Sequence, residues 1–425
     1  MPTELTVPSD IMSRFNPNSR SDARVEPAGG IWMVAERGIH KIDGYSTRVR
    51  LALEAISEVF PKPVLFYPSE TCDEDPSILS DIAEPVPIPV APGKPLPFLG
   101  RVFRHALESR LKTHGRPALV YGQNLVASDL ASRFSESNSI PFVFDYHGVA
   151  VHEIFASDKS PRGLAKAAIY LRLERRTVKR ADKIVVVSNN FRRSIEKRYR
   201  RAPDDVHVFP MVPEAGLLQA PRKTRGEIAA ELGVDVGAGT VVFTYLGQAQ
   251  TWQLAAETVA YYARIEAASD DTFLLIISND RDRFSEIVRR AGVRRCKTIS
   301  VPHADVPRYL DFCDFGFVFR RPILVNTVAS PTKVMEYLSR GVLPVMTGSV
   351  GDFSEALSIE DLATIVPFDA LKRAERSDRR WTRPPSKLKD RARRYASSFR
   401  DTHIAAYDAF LREMVGSAVA RNATL

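Results

Sequence analysis

Ser330-Pro331-Thr332-Lys333-Val334-Met335-Glu336-Tyr337-Leu338 places a cation where a helix should begin. Ser is a good N-cap, Pro is favoured at the first helical position, and Gly341 with Pro344 marks the stop, so the spacing predicts a helix opening near residue 331. Lys333 then falls in the first turn, where the helix dipole disfavours a positive charge by about 0.3–1 kcal/mol unless an anion lies close by. A phosphate reverses that sign. The amides of the helix start, a hydroxyl from Ser330 or Thr332 and the Lys333 ammonium together would make a diphosphate site. Glu336 shares the face of Thr332 and Lys333, and its carboxylate suits two vicinal ribose hydroxyls. On residue types alone a plain surface helix, with Lys333 paired to Glu336 at i, i+3, stays open.

Other residues fall where open α/β sheets bind ligands, at the carboxyl ends of strand-like runs. Gly247 closes the run 241–246, so its backbone amide could approach a diphosphate, although a turn glycine reads the same way. His147 follows the run 142–145 and precedes Gly148, which puts an imidazole in a crevice; a structural histidine is the alternative. The segment 38–48 has the glycines and small polar groups of a mobile loop, from which Gly44, Tyr45 and Arg48 could meet an acceptor, or it is ordinary connection. Asp73-Glu74-Asp75 matches a D-x-D metal motif but sits between Cys72 and Pro76 in a polar stretch, and it reads as an acidic loop. No metal or other cofactor is expected. Dinucleotide, Walker, zinc-protease and G-x-S-x-G motifs are absent from the sequence.

Short β-branched runs alternate with helical patterns, as expected of βαβ units. The runs 31–35, 64–67, 118–121, 142–145, 183–187 and 206–209 predict one parallel sheet, and 241–246, 273–277, 298–301, 316–319, 343–346 and 364–367 predict another. The segment 212–239 reads as a linker plus the first helix of the second unit. The fold class is therefore α/β, with two Rossmann-like domains over 30–215 and 216–385. Residues 1–29 are expected to form a poorly ordered leader, and 386–425 a helix packing back toward the first domain.

At 425 residues, with 44% hydrophobic and 26% charged side chains, the composition is that of a globular protein with two cores. It contains no apolar run long enough to span a bilayer, and the first thirty residues lack the core of a secretory signal. Three cysteines without metal-ligand spacing fit a reducing compartment, so a cytoplasmic location is expected. The net charge of +9 favours an anionic partner. Between residues 159 and 201 there are 15 Lys and Arg against three acids, so this stretch is expected either to meet an anionic membrane surface at the inner membrane face or to form a solvated basic face. Nucleic acid is not an expected partner, because aromatic interleaving and a recognition motif are missing.

The segments "FDYHGVAVHE" (144–153), "ADKIVVVSNNFRRSI" (181–195), "FTYLGQAQTWQL" (243–254) and "ASPTKVMEYLSRGVLPVMT" (329–347) resemble, in order, the blocks of the large retaining GT-B glycosyltransferase family, of the family 4-like polysaccharide type. The resemblance runs from about residue 30 to about 357. It implies two lobes facing across a cleft and a UDP-, GDP- or ADP-sugar donor held by Gly247, Gln248, Trp252, Arg320, Asn326, Ser330, Thr332, Lys333 and Glu336. It also implies that His147 faces the transferred sugar, that Glu153 lies toward a glycan or lipid-linked acceptor, and that His147, Lys333 and Glu336 form the catalytic set. Two departures stand out. Val328 occupies the position of a Glu that usually touches the transferred sugar, which leaves Asn326 as the nearest polar candidate. The usual Arg and Lys after the first strand of the donor domain are replaced by Gln248, Gln250 and Gln253 around Trp252, so that Arg320 or Arg321 would have to supply the phosphate charge. A sugar-nucleotide epimerase and a non-catalytic partner of the same fold are the rival readings.

Overall fold

A computed structural model describes residues 30–39, 43–69, 79–90, 96–219, 223–249, 253–371 and 380–422. The first sheet contains β1 (Ile31–Val34), β2 (Val64–Ser69), β3 (Glu84–Pro89), β4 (Leu119–Gln123), β5 (Phe142–Tyr146), β6 (Lys183–Val186) and β7 (Val206–Val208). Its order is β3-β2-β1-β4-β5-β6-β7, and every pairing is parallel. Helices α1 (Gly44–Val59), α2 (Leu96–His114), α3 (Asn124–Ser137), α4 (Ala150–Ser157), α5 (Pro161–Arg180) and α6 (Asn189–Tyr199) connect the strands. Ile31 and Met33 join one apolar cluster and Trp32 and Val34 another, so both faces of the sheet are covered. That is why its strands read as unbroken apolar runs.

Sequence reasoning missed β3, whose Pro85, Pro87 and Pro89 argue against a strand. It forms because it is an edge. Glu84 and Val90 donate inward to the carbonyls of Pro63 and Ser69, while the prolines fall on the alternate positions, where no donor is needed.

Beyond α7 (Arg225–Leu232) the second sheet contains β8 (Val241–Leu246), β9 (Thr272–Ile277), β10 (Cys296–Ile299), β11 (Phe315–Val318), β12 (Leu343–Thr347) and β13 (Thr364–Val366). All are parallel, in the order β10-β9-β8-β11-β12-β13. Its strand β10 begins two residues earlier than predicted. The helices here are α8 (Ala255–Ala268), α9 (Arg281–Ala291), α10 (Val306–Leu310), α11 (Leu324–Thr327), α12 (Thr332–Ser339) and α13 (Phe353–Ile359).

The 37-residue helix α14 (Ser386–Asn422) touches both cores. Ala392 and Ala396 are buried with the second sheet, whereas Tyr407, Leu411, Met414 and Val415 are buried with the first. Tyr407 lies flat on Phe209, with ring centroids 4.0 Å apart.

Candidate active site at the mouth of two parallel sheets

The loop leading into α12 is tied to the other half of the molecule. The Ser188 hydroxyl donates to the Val328 carbonyl at 2.7 Å, and the Met211 amide donates to Ser330 Oγ at 3.0 Å. One turn past β12, Asp352 accepts the Asn189 and Asn190 amides at the start of α6, at 2.5 and 3.0 Å. The amide end of α12 therefore opens beside the carboxyl ends of β6 and β7. One expectation needs correcting here. Ser330 does not cap α12: Pro331 holds the cap position without a side-chain bond, and the helix starts at Thr332. The Ser330 hydroxyl is occupied across the domain boundary, so no side chain satisfies the first-turn amides.

Lys333 reaches back over the end of β8. Its Nζ donates to Gln253 Oε1 at 2.5 Å and lies 5.1 Å above the Tyr245 ring. Gly247 makes this possible, since its φ is +120° and a side chain would begin 2.8 Å from Nζ. Burial, and then the nearby charge of Arg320, push the Lys333 ammonium well below its ordinary pKa, with only Glu336 acting in the other direction. Arg320 is 9% exposed, and its backbone is bracketed by the Thr347 hydroxyl at 2.9 and 2.8 Å. Its guanidinium donates to the Phe319 carbonyl at 3.3 Å and forms no ion pair among the described residues, and burial lowers its pKa too. A buried guanidinium and a partly buried ammonium share one site with a single carboxylate, Glu336, among the described residues. Desolvating charge without a partner is costly, and an anion bound between these groups removes the cost. Arg321, by contrast, is half exposed and lies 3.5 Å from Glu257.

Glu336 is buried on α12, and its Oε1 is 3.8 Å from His303 Nε2, which raises the His303 pKa above its ordinary value. Sequence reasoning missed His303, although a histidine just past a strand-like run was the very signal that found His147. Gln248 receives the Tyr245 hydroxyl on its carbonyl at 2.9 Å. Thr332 opens the helix, partly buried. Asn326 is buried; its side-chain amide donates to the Arg321 carbonyl at 3.0 Å and its own carbonyl accepts from the Gly351 amide, so it braces the 320–330 loop. Trp252 and Gln250 lie outside the described residues, as does the Asp73-Glu74-Asp75 segment. Val328 is 3% exposed and packs in the apolar cluster of the first sheet, alongside Tyr146 and Val149.

On the opposite lip, His147 stacks on Tyr45 with ring centroids 5.3 Å apart. Its Nε2 is buried with no hydrogen-bond partner among the described residues, and burial lowers its pKa to about 4, so the ring is neutral at pH 7. The Tyr45 hydroxyl accepts from the Glu36 amide at 2.8 Å, and Arg37 lies 4.4 Å over its ring. Gly44 opens α1 behind Asp43, whose carboxylate caps the Tyr45 and Ser46 amides. Glu153, on α4, is exposed, and its Oε1 lies 3.1 Å from where a Gly148 side chain would begin.

Two expectations for this lip fail. Residues 44–48 are not a mobile loop but the first turns of α1, nucleated by the Asp43–Ser46 capping box; residues 40–42 lie outside the described residues. Arg48 is not an acceptor contact. It is 0% exposed, binds both oxygens of Asp145 at 3.1 and 3.2 Å, and donates to the Phe209 carbonyl at 2.6 Å. Tyr121 completes the network on Asp145 at 2.9 Å, and Tyr407 of α14 reaches Tyr121 at 2.7 Å. Spacing along α1 turned Arg48 inward, and a cation inward of α1 needed Asp145.

Solved structures share the whole architecture. Sucrose-phosphate synthase from Thermosynechococcus elongatus superposes with a TM-score of 0.70 at 14% identity, covering 91% of this chain and 100% of that one. The fold is GT-B. A second GT-B structure, HepE from Anabaena in complex with UDP and glucose, gives a TM-score of 0.62 at 12% identity, covering 91% and 99%. WaaG, a glycosyltransferase involved in lipopolysaccharide biosynthesis, gives 0.58 at 14%, covering 86% and 95%. Residues 59–211, most of the first GT-B lobe, match the model of Glycosyltransferase Family 4. No curated protein matches by sequence.

Proposed function

We propose that the protein is a glycosyltransferase that moves a hexose from a nucleoside diphosphate sugar to a glycan or lipid-linked acceptor, with retention, in polysaccharide or surface-glycan assembly. The observation that carries this reading is the pair of cations, buried Arg320 and partly buried Lys333, gathered with only Glu336 as carboxylate among the described residues at an uncapped helix start facing the first lobe. That arrangement complements a diphosphate leaving group, and stabilising its charge is the main demand of such a transfer. Lys333, Arg320, the α12 amides and the Gly247 backbone take that task, Glu336 takes the ribose hydroxyls, and neutral His147 orients the transferred sugar. The leaving phosphate assists the acceptor hydroxyl on the same face, so the reaction requires no protein nucleophile and, on this reading, no metal. The match of the first lobe to Glycosyltransferase Family 4 and the UDP and glucose in the HepE structure support the donor class. No helix among the described residues is long and apolar enough to cross a membrane. The reading places the enzyme in the cytoplasm, peripheral to the inner membrane face through residues 159–201.

Thermal unfolding with UDP, GDP and ADP tests the reading. The matching nucleotide at 100 times its Kd adds about 2.7 kcal/mol. Lys333→Ala weakens that nucleotide by about tenfold or more, as expected for loss of a charge-assisted bond, while His147→Ala keeps the affinity and loses transfer. A wild-type protein that no nucleotide stabilises, or equal loss of binding in both variants, refutes the assignment.

A further inference from the structure

Away from the cleft, α2, α3 and α5 leave a groove of about 610 Å3 on the outer face of the first lobe. This lies within the size range of small-ligand sites. Its walls include Arg101 and Arg104 of α2, Val126 and Leu130 of α3, and Ile169 and Leu173 of α5. The apolar rim of the groove is open to water at Ile169, which is 51% exposed. Phe155 on α4 and Leu164 on α5, 44% and 50% exposed, lie outside the groove lining.

The same rim is cationic. Arg101 and Arg104 are exposed and make no ion pair among the described residues. The lining also holds Arg133 with the acids Glu108 and Asp129, but Asp129 is already paired to Arg133 at 2.8 Å and to Arg176 at 2.7 Å. Along α5 the exposed residues Arg162, Lys166, Arg172 and Arg175 extend the positive surface. The one acid of that helix, Glu174, is turned inward to the hydroxyls of Tyr146 and Tyr199. Apolar side chains flanked by unpaired cations suit an amphiphile with a negative head.

We infer that the groove between α2, α3 and α5 binds an anionic lipid, with an acyl chain against Leu130, Ile169 and Leu173 and the phosphate on Arg101 and Arg104. It rests on the reading above in one respect, that the protein works at a membrane, and otherwise defines a site separate from the nucleotide cleft. Such a site would anchor the first lobe with a lipid in the groove, where charge attraction alone would leave the lobe free to slide.

The test uses the full chain with phosphatidylcholine vesicles with and without phosphatidylglycerol, and with soluble dihexanoyl phosphatidylglycerol below its micelle concentration. Affinity for the anionic vesicles falls by about fivefold for each of Arg101→Ala and Arg104→Ala and by about tenfold or more for Ile169→Asp. Dihexanoyl phosphatidylglycerol shifts amide signals of α3 and α5, and glycerol phosphate does not. Equal binding to neutral vesicles, wild-type binding by Ile169→Asp, or an equal response to glycerol phosphate overturns the proposal. Because these residues are exposed, the variants keep the wild-type thermal midpoint and nucleotide affinity. Lipid binding in a protein that binds no nucleotide would sink the transferase reading and leave this site standing.

Discussion

Arg48 and Arg320 are both buried arginines at the carboxyl end of a parallel sheet, yet their surroundings differ. Around Arg48 each guanidinium nitrogen has a fixed acceptor, either Asp145 or the Phe209 carbonyl. Around Arg320, among the described residues, there is one backbone carbonyl and a second cation. A buried charge that is fully paired belongs to the scaffold, and one left short of counter-charge belongs to a ligand site. The first lobe uses its arginine to lock α1, β5 and β7 together and, through Tyr121 and Tyr407, to fasten α14. The second lobe keeps its arginine and Lys333 in reserve.

The sharpest way to break this comparison is to truncate each arginine. Arg48→Ala strands Asp145 in the core and costs about 3–5 kcal/mol in denaturant unfolding. Arg320→Met removes an unpaired charge and costs little or stabilises, while nucleoside diphosphate affinity falls. Equal destabilisation by the two would erase the distinction.

Proton linkage sharpens it next. The folded pKa of Lys333 lies well below its unfolded value, so between the two the unfolded chain holds a proton that the folded chain lacks. Stability from this group therefore rises with pH across that window. Within that window a bound diphosphate restores the ammonium, so nucleotide binding there takes up a proton and weakens as pH rises. Calorimetry in buffers of different ionisation enthalpy reads that uptake, and Lys333→Met abolishes it. His147 behaves alike at lower pH: with a folded pKa of about 4 against about 6.5 unfolded, stability is lost as pH falls from 6.5 toward 4.

The smallest expected effect lies far from either arginine. Thr224 and Glu227 form a capping box at the start of α7, and Thr224→Ala costs about 1 kcal/mol with no change in nucleotide affinity. A change in affinity would mean that the two lobes communicate through the linker.

Much of the fold was legible because buried parallel strands are unbroken apolar runs between helical patterns. The edge strand β3 was not, because prolines forbid a central strand but not an edge. In the site, Lys333 and Glu336 were legible as a charge anomaly in a short helix. His303 could have been found by its place after a strand-like run, whereas Gln253 as the acceptor of Lys333 could not, since the bond joins residues 80 positions apart.

Local sequence determined most of the segments that form helices and strands, where the α12 helix starts to within two residues, and that a cation stands in its first turn, because propensity, capping and alternation act over a few residues. Tertiary structure alone decided that Ser330 serves the domain boundary and not the helix, that Arg48 points into the core, and that Arg320 joins Lys333. Those outcomes depend on what burial brings alongside each charge, and the partners come from strands far away in the chain.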